Sequence, residues 1–73
     1  MSSEIKKDFD NRFNYHAPKE GQVEKYSAIR ATLKEAAELI VSACPDSRER
    51  SLAITKLEES MMWANASIAR NDE

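Results

Sequence analysis

Two long segments with helical apolar spacing are separated by only a short turn around Pro45. In residues 20–44, side chains that are mostly apolar or small recur every three or four positions: Val23, Tyr26, Ile29 (or Arg30), Leu33, Ala36, Ala37, Ile40 and Cys44. In residues 47–70, the same repeat comprises Ala53, Ile54, Leu57, Met61, Ala64 and Ile68. This spacing predicts one amphipathic helix per segment. Because a short turn makes neighbouring helices run antiparallel, the chain is predicted to be an all-α protein built on a helical hairpin.

A shorter helix is predicted before the hairpin, over residues 3–13. Ile5, Phe9 and Phe13 lie four residues apart and form one apolar stripe. A helix this short is marginal alone in water, so it needs a surface from its own chain or from a neighbour. Residues 14–21 contain Pro18 and Gly21 and are predicted to form an irregular connector.

The length of 73 residues predicts a single domain over residues 1–73. Cys44 and His16 are the only residues of their types, which excludes an internal disulfide and a Cys/His zinc site. A chain of this size buries only about 60–65% of its unfolded surface. Trp63 adds apolar area on a different face from the main stripe, so the apolar surface is too wide for one hairpin to bury. These features predict a homo-oligomer.

The charge balance limits the partners. Eleven basic and 13 acidic residues give a formal net charge of −2, which opposes general DNA or RNA binding. Nothing approaches the run of about 18–20 apolar residues that a membrane span needs, and the polar start lacks a signal-peptide pattern. With one unpaired cysteine, the cytoplasm is the expected compartment.

Catalysis is not expected. His16 has no evident nucleophile or carboxylate partner, and Cys44 beside Pro45 is expected to be a packed thiol. Glu58 and Glu59 point about 100° apart on a helix and cannot act as a paired acid and base. The chain also lacks a glycine-rich phosphate loop. We therefore expect neither an enzyme nor a bound cofactor.

Binding chemistry is better represented. Tyr26, Arg30 and Lys34 follow at four-residue intervals and share one side of the first long helix. A ring beside cations can stack a base and neutralise a phosphate, although an ordinary exposed arginine is the simpler interpretation from spacing alone. Tyr15 and His16 lie on the connector, where they are free to point at a ligand or to cover the core.

Three further positions lie near the ends and flanks of the stripes. Arg70 closes the last helix, where the helix dipole favours a cation regardless of function. Asn65 lies between two alanines close to the apolar stripe and is expected to need a polar partner across an interface. Thr32, one turn after Ala28, is expected to present a hydroxyl over a shallow hollow.

Three sequence blocks occur together in order: Tyr-His-x-Pro at 15–18, Pro-x-Ser-Arg-Glu at 45–49 and Met-Trp-Ala-Asn-Ala at 62–66. With these blocks, residues 13–71 resemble a small phage family, the anti-CBASS cyclic-oligonucleotide sponge proteins of the second type described. The resemblance implies a non-enzymatic binder in the host bacterial cytoplasm that captures cyclic di- and trinucleotides such as cyclic GMP-AMP. It also implies a homo-hexamer of helical hairpins.

The resemblance assigns roles to individual residues. Tyr15 matches the tyrosine that stacks on a base of the dinucleotide, and Arg30 stands where a basic residue, often lysine, contacts its phosphates. His16 and Tyr26 accompany them as candidate dinucleotide-binding residues. For the trinucleotide, Thr32 and Arg70 match contacting positions and Ala28 matches a small-residue position.

Other classes of function stay open at this point. A helical protein–protein adaptor that inhibits a host protein would use Met61, Met62 and Trp63 as anchors. A repressor-like DNA-binding protein ranks below it because no helix has a basic face. An enzyme ranks last.

Overall fold

The computed structural model describes residues 2–72, which form three helices and no strand: α1 (Ser3–Phe13), α2 (Gln22–Ala43) and α3 (Arg48–Asn71). The prediction of an all-α fold is therefore confirmed, while Met1 and Glu73 lie outside the described residues. None of the helices in this part of the chain combines the length and apolar character needed to cross a bilayer.

The ends of α2 differ slightly from the predicted range of 20–44. The helix begins at Gln22 because Gly21, its N-cap, has a left-handed backbone with φ of 84°. Glycine suits this position because other residues rarely adopt such a φ. The helix ends at Ala43 because Cys44 is already extended, as favoured for a residue before proline. Cys44 is exposed, so the prediction of a packed thiol is wrong for the protomer.

Serine side chains cap the other two helices. Ser2 Oγ accepts a hydrogen bond from the Ile5 N–H at 3.2 Å and caps α1. Ser47 Oγ accepts one from the Arg50 N–H at 3.1 Å, so α3 begins at Arg48, one residue after the predicted start. At its other end α3 continues to Asn71, one residue beyond the predicted range.

Contacts at both ends show that α2 and α3 run antiparallel. Gln22, in the first turn of α2, reaches the carbonyl of Ile68 near the end of α3. Arg50, in the first turn of α3, donates to the carbonyls of Val41 and Cys44 at 3.3 and 3.2 Å, and also pairs with Asp46. Because these carbonyls are left without partners at the end of a helix, Arg50 acts as the C-terminal cap of α2.

The protomer is one helix thick. Its smallest dimension is 13 Å, close to the diameter of about 10–12 Å for a helix with its side chains. Within residues 2–72 no apolar side chain is buried, and the predicted stripe residues between the two helices, such as Leu33 and Leu57, are half-buried. Val23, at the start of α2, is exposed, contrary to the stripe prediction, because it points about 100° around the helix from Gln22, whose side chain faces α3.

The molecular surface shows how much this protomer leaves uncovered. Its accessible area is 5983 Å², about 1,400 Å² more than the roughly 4,600 Å² expected for a compact monomer of its mass. Its radius of gyration is 16.1 Å, against about 11 Å for a compact chain of this length. Two helices in one layer cannot enclose a core, so the hairpin exposes both of its broad faces.

The first helix packs along neither long helix. Within the described residues, extensive helix–helix packing joins only α2 and α3. Ile5, Phe9 and Phe13 are all exposed, and the two phenylalanine rings meet edge to face with centroids 6.0 Å apart. The guanidinium of Arg12, in the same helix, lies 5.8 Å from the centroid of the Phe13 ring. The surface that this helix needs is thus not supplied by its own hairpin.

Candidate functional site

One broad face of the hairpin carries a groove of about 270 Å³, which we call the Arg30 groove. It is lined by Arg30, Leu33, Lys34, Ala37, Ile54, Leu57, Glu58 and Met61. The groove is apolar along its floor and charged along its rim. Toward the turn it continues into a shallower extension lined by Lys34, Ala37, Glu38, Val41, Ser42 and Ile54.

The guanidinium of Arg30 is available to an anion. Its one hydrogen bond among residues 2–72 is long, at 3.4 Å to Ser27 Oγ, and no carboxylate of the described chain lies within 4.0 Å. Lys34, one turn later, is likewise without an ion pair in this part of the chain. Two cations without internal counter-ions at one rim favour binding of a phosphate there.

Tyr26 lies one turn before Arg30 and is half-buried. Residues four apart on a helix are neighbours on its surface, so the ring of Tyr26 lies next to the Arg30 groove. It lies on the side of the groove toward the open end of the hairpin, which is the end opposite the turn at Pro45. The predicted association of Tyr26, Arg30 and Lys34 on one side of α2 fits the helix that the structure shows.

Tyr15 and His16 lie apart from this groove in the protomer. Tyr15 is 86% exposed. His16 is half-buried, and its Nε2 lies 2.7 Å from the carbonyl oxygen of Asn11. Because a carbonyl can only accept, Nε2 carries the proton and donates it, which fixes the ring against the end of α1. The structure thus gives His16 a partner that was not expected from the sequence.

The opposite face carries a hollow of about 350 Å³, which we call the Thr32 hollow. It is lined by Ala28, Ile29, Thr32, Leu33, Ser60 and Ala64. Thr32 and Arg30 are two positions apart and therefore point about 200° apart around the helix. Leu33 lies between them and lines both depressions. Arg30 and Thr32, one from each set of predicted ligand contacts, consequently lie on two different faces of the hairpin.

Arg70 is not part of the Thr32 hollow within a single protomer. It lies six residues after Ala64, about 9 Å farther along α3, and is half-buried. The structure therefore brings Thr32 and Ala28 together, as the sequence predicted, but leaves Arg70 at the end of the helix.

The open end of the hairpin is held by a residue whose role the sequence did not indicate. Gln22 is 4% exposed; its Oε1 accepts from the Lys19 N–H at 2.9 Å, and its Nε2 donates to the carbonyls of Ile68 and Asp72 at 3.5 and 3.4 Å. One side chain thus joins the connector, α2 and the end of α3. The sequence around Gln22 does not indicate that this side chain is buried, because two of its hydrogen-bond partners are 46 and 50 residues away.

Asn65 has a buried oxygen without a partner. No donor among the described residues lies within hydrogen-bonding distance of its Oδ1. An unsatisfied buried acceptor costs about 1–3 kcal/mol, so such atoms are normally paired. The sequence indicated this position by an amide placed between alanines beside the apolar stripe.

Within residues 2–72, no three His, Cys, Asp or Glu side chains gather as metal ligands. The family model described as "Acb2/Tad1, hairpin domain" matches residues 5–69, which include nearly all of the three helices and both faces described above. No curated protein and no solved structure matches the chain.

Proposed function

The chain belongs to the Acb2/Tad1 hairpin-domain family, the family of anti-CBASS sponges that sequester cyclic nucleotides, and on that premise we propose that it captures cyclic di- and trinucleotides without degrading them. In this proposal it is a phage protein acting in the host bacterial cytoplasm, where capture prevents a CBASS effector from being activated. The observation that carries the proposal is the family match together with two free cations on the rim of the Arg30 groove.

The proposed cyclic dinucleotide site uses Tyr15, Arg30, His16 and Tyr26. Tyr15 offers an exposed ring on which a base can stack, and Arg30 offers a phosphate a guanidinium that has no ion pair within residues 2–72. The hydrogen bond from His16 to Asn11 holds the residue next to Tyr15 in place, so we assign His16 to positioning that ring. Tyr26 supplies a second aromatic edge one turn from Arg30.

The proposed cyclic trinucleotide site uses Thr32, Ala28 and Arg70. The Thr32 hollow supports this role because Ala28 keeps it shallow and open while Thr32 presents a hydroxyl in it. Arg70 lies outside the hollow of its own protomer, so in this proposal it reaches the ligand of a site shared among copies.

Sharing among copies follows from the proposed homo-hexamer. A hexamer with dihedral symmetry has three two-fold axes and one three-fold axis with two ends. A cyclic dinucleotide has near two-fold symmetry and a cyclic trinucleotide near three-fold symmetry, so each matches one kind of axis. A protomer one helix thick, in which every apolar side chain of residues 2–72 is at least partly exposed, supports assembly of this kind.

Capture of this kind needs tight binding and no turnover. A nanomolar dissociation constant corresponds to about −12 kcal/mol. Stacking contributes about 1–3 kcal/mol per base, and charge-assisted phosphate bonds are stronger than neutral ones. Two rings and two guanidiniums around one ligand are consistent with such affinity, whereas one protomer offers half of them.

A helical adaptor that docks on a host protein is the second candidate. Met62 and Trp63 favour it, because both side chains are more than 60% exposed on a rigid helix. Met61, the third anchor expected from the sequence, instead lines the Arg30 groove and is half-buried. In a host lysate, an adaptor would elute with a protein partner, whereas the proposed sponge would elute at its own mass.

Calorimetric titration with a panel of cyclic di- and trinucleotides tests the proposal. We expect saturable binding of at least one member of each class, with linear nucleotides of the same bases binding far more weakly. Absence of binding across the whole panel would contradict the proposed function.

A further inference from the structure

We propose that α1 of one copy packs into the Arg30 groove and its extension on a second copy. The inference rests on the homo-oligomer of the proposed function, but not on the bound nucleotide. It joins two apolar surfaces that have no partner within residues 2–72: the stripe of Ile5, Phe9 and Phe13, and the groove between α2 and α3.

Within residues 2–72 the apolar stripe of α1 has no packing surface on its own hairpin. The helix packs along neither long helix, and all three stripe side chains are exposed. Eleven residues are too few to hold a helix in water without such packing. A stable α1 therefore requires an apolar surface other than its own hairpin.

The groove and the helix match in length. From Arg30 to Ser42 the groove and its extension span 13 residues of α2, about 18 Å. Helix α1 is 11 residues long, about 16 Å, so it fits within that length. The floor between those ends is formed by small and aliphatic side chains, Ala37, Ile54 and Leu57 among them, which leave room for phenylalanine rings.

The geometry of the connector favours packing of α1 into the groove of a second copy rather than into the groove of its own chain. The molecule is 51 Å long, whereas α3, its longest helix, accounts for about 36 Å, so α1 extends beyond the hairpin. Two hydrogen bonds hold this arrangement: His16 Nε2 to the Asn11 carbonyl, and the Lys19 N–H to Gln22 Oε1. The first fixes the connector to α1 and the second fixes it to the hairpin.

The amount of open surface fits an interface between copies. A standard interface buries about 800 Å² on each partner. The protomer exposes about 1,400 Å² more than a compact monomer of its mass, which is sufficient for such an interface.

A photocrosslinking experiment tests this packing directly. Phe9 is replaced by p-benzoylphenylalanine, which keeps an aromatic group in the stripe, and this unlabelled chain is refolded together with uniformly ¹⁵N-labelled chain of natural sequence. After irradiation, mass spectrometry identifies the crosslinked peptides. We expect unlabelled α1 joined to ¹⁵N peptides that contain Ala37, Leu57 or Met61.

The contradicting results separate this inference from the proposed function. Crosslinks only within the unlabelled chain, or to labelled peptides outside the groove, would overturn the packing of α1 while leaving an oligomer intact. A protein that is monomeric by light scattering would overturn the assembly itself and this inference with it.

A pair of charge substitutions in α1 supports the same test. Phe9→Glu should convert the oligomer to smaller species in light scattering. Lys7→Glu, two positions away and therefore on the far side of the helix, should leave the mass unchanged. Equal behaviour of the two variants would contradict the proposal.

Discussion

Lys25 Nζ lies 2.7 Å from a carboxylate oxygen of Asp72, and this ion pair ties the first turns of α2 to the residue that follows α3. Gln22 lies beside it and bonds the carbonyls of Ile68 and Asp72. Through its bond to Lys19, the same glutamine also fixes the connector that carries Tyr15. The open end of the hairpin is therefore the place where fold stability and presentation of the proposed stacking ring depend on the same contacts.

The ion pair predicts an acid-sensitive contact at this end. The hydrogen bond from Lys25 lowers the pKa of Asp72 below its usual value of 3.8. Because the folded pKa is depressed, the stabilising contribution is present above the unfolded pKa and is lost as the pH falls through the folded pKa. In Lys25→Met, NMR titration of the Asp72 carboxyl should show a pKa that returns toward the usual value.

Lys56→Met provides a matched control, because Lys56 pairs with Glu59 on the exposed side of α3. It removes the same charge without touching the open end, so the pKa of Asp72 should keep its depressed position. The explanation fails if both variants titrate alike at Asp72.

Replacing Gln22 by alanine should destabilise the protomer fold. The substitution removes a buried side chain that bonds the Lys19 N–H and the carbonyls of Ile68 and Asp72, at a cost of about 1–3 kcal/mol in the free energy of unfolding. The Ile68 carbonyl keeps its bond from the Asp72 N–H. Urea unfolding monitored by circular dichroism measures this change. Asn71→Ala, which removes an exposed bond to the Ser67 carbonyl, should cost less than about 0.5 kcal/mol.

The two proposed sites should respond separately to substitution. Tyr15→Ala removes a stacked ring worth about 1–3 kcal/mol per base, and Arg30→Glu reverses the charge offered to a phosphate, so both should weaken cyclic dinucleotide binding at least tenfold. Cyclic trinucleotide binding should change little. Calorimetry with one ligand of each class gives the comparison.

Arg30→Lys and Arg70→Ala complete this test. Arg30→Lys keeps the charge but loses the planar fork, so it should retain part of the dinucleotide affinity. Arg70→Ala should weaken only the trinucleotide. Parallel loss of both ligands in Tyr15→Ala and in Arg70→Ala would argue against two separate sites.

Captured ligand should be released chemically unchanged. The proposed mechanism uses stacking and phosphate contacts and no bond-breaking step. After incubation with excess protein and heat denaturation, liquid chromatography should return the cyclic nucleotide in full. Recovery of linear nucleotide would instead indicate phosphodiester hydrolysis.

Local patterns were sufficient to predict the helices. The stripes through Leu33 and Leu57 follow helical periodicity, and these side chains are half-buried in the seam. Helix ends were less accurate, since the start at Gln22 depends on the backbone of Gly21 and the end at Ala43 depends on Pro45 two residues later. Such boundaries are set by single dihedral angles rather than by periodicity.

Contacts between distant parts of the chain could not be predicted in the same way. The burial of Gln22 depends on carbonyls at the far end of α3, and no spacing rule relates them. The oxygen of Asn65 has no hydrogen-bond partner within residues 2–72, and a partner across an interface stays a prediction because no local pattern specifies one. For the same reason, the sequence predicts Tyr15 and Arg30 as ligand contacts but does not predict the distance between them or their relative orientation.

Native mass spectrometry with a mixed panel of cyclic di- and trinucleotides tests the central claim most directly, because it reads the number of subunits and the number of ligands in one spectrum. A hexamer that carries up to three dinucleotides and up to two trinucleotides, one per two-fold axis and one per end of the three-fold axis, is the predicted result. A monomer with no bound nucleotide at micromolar protein would contradict it.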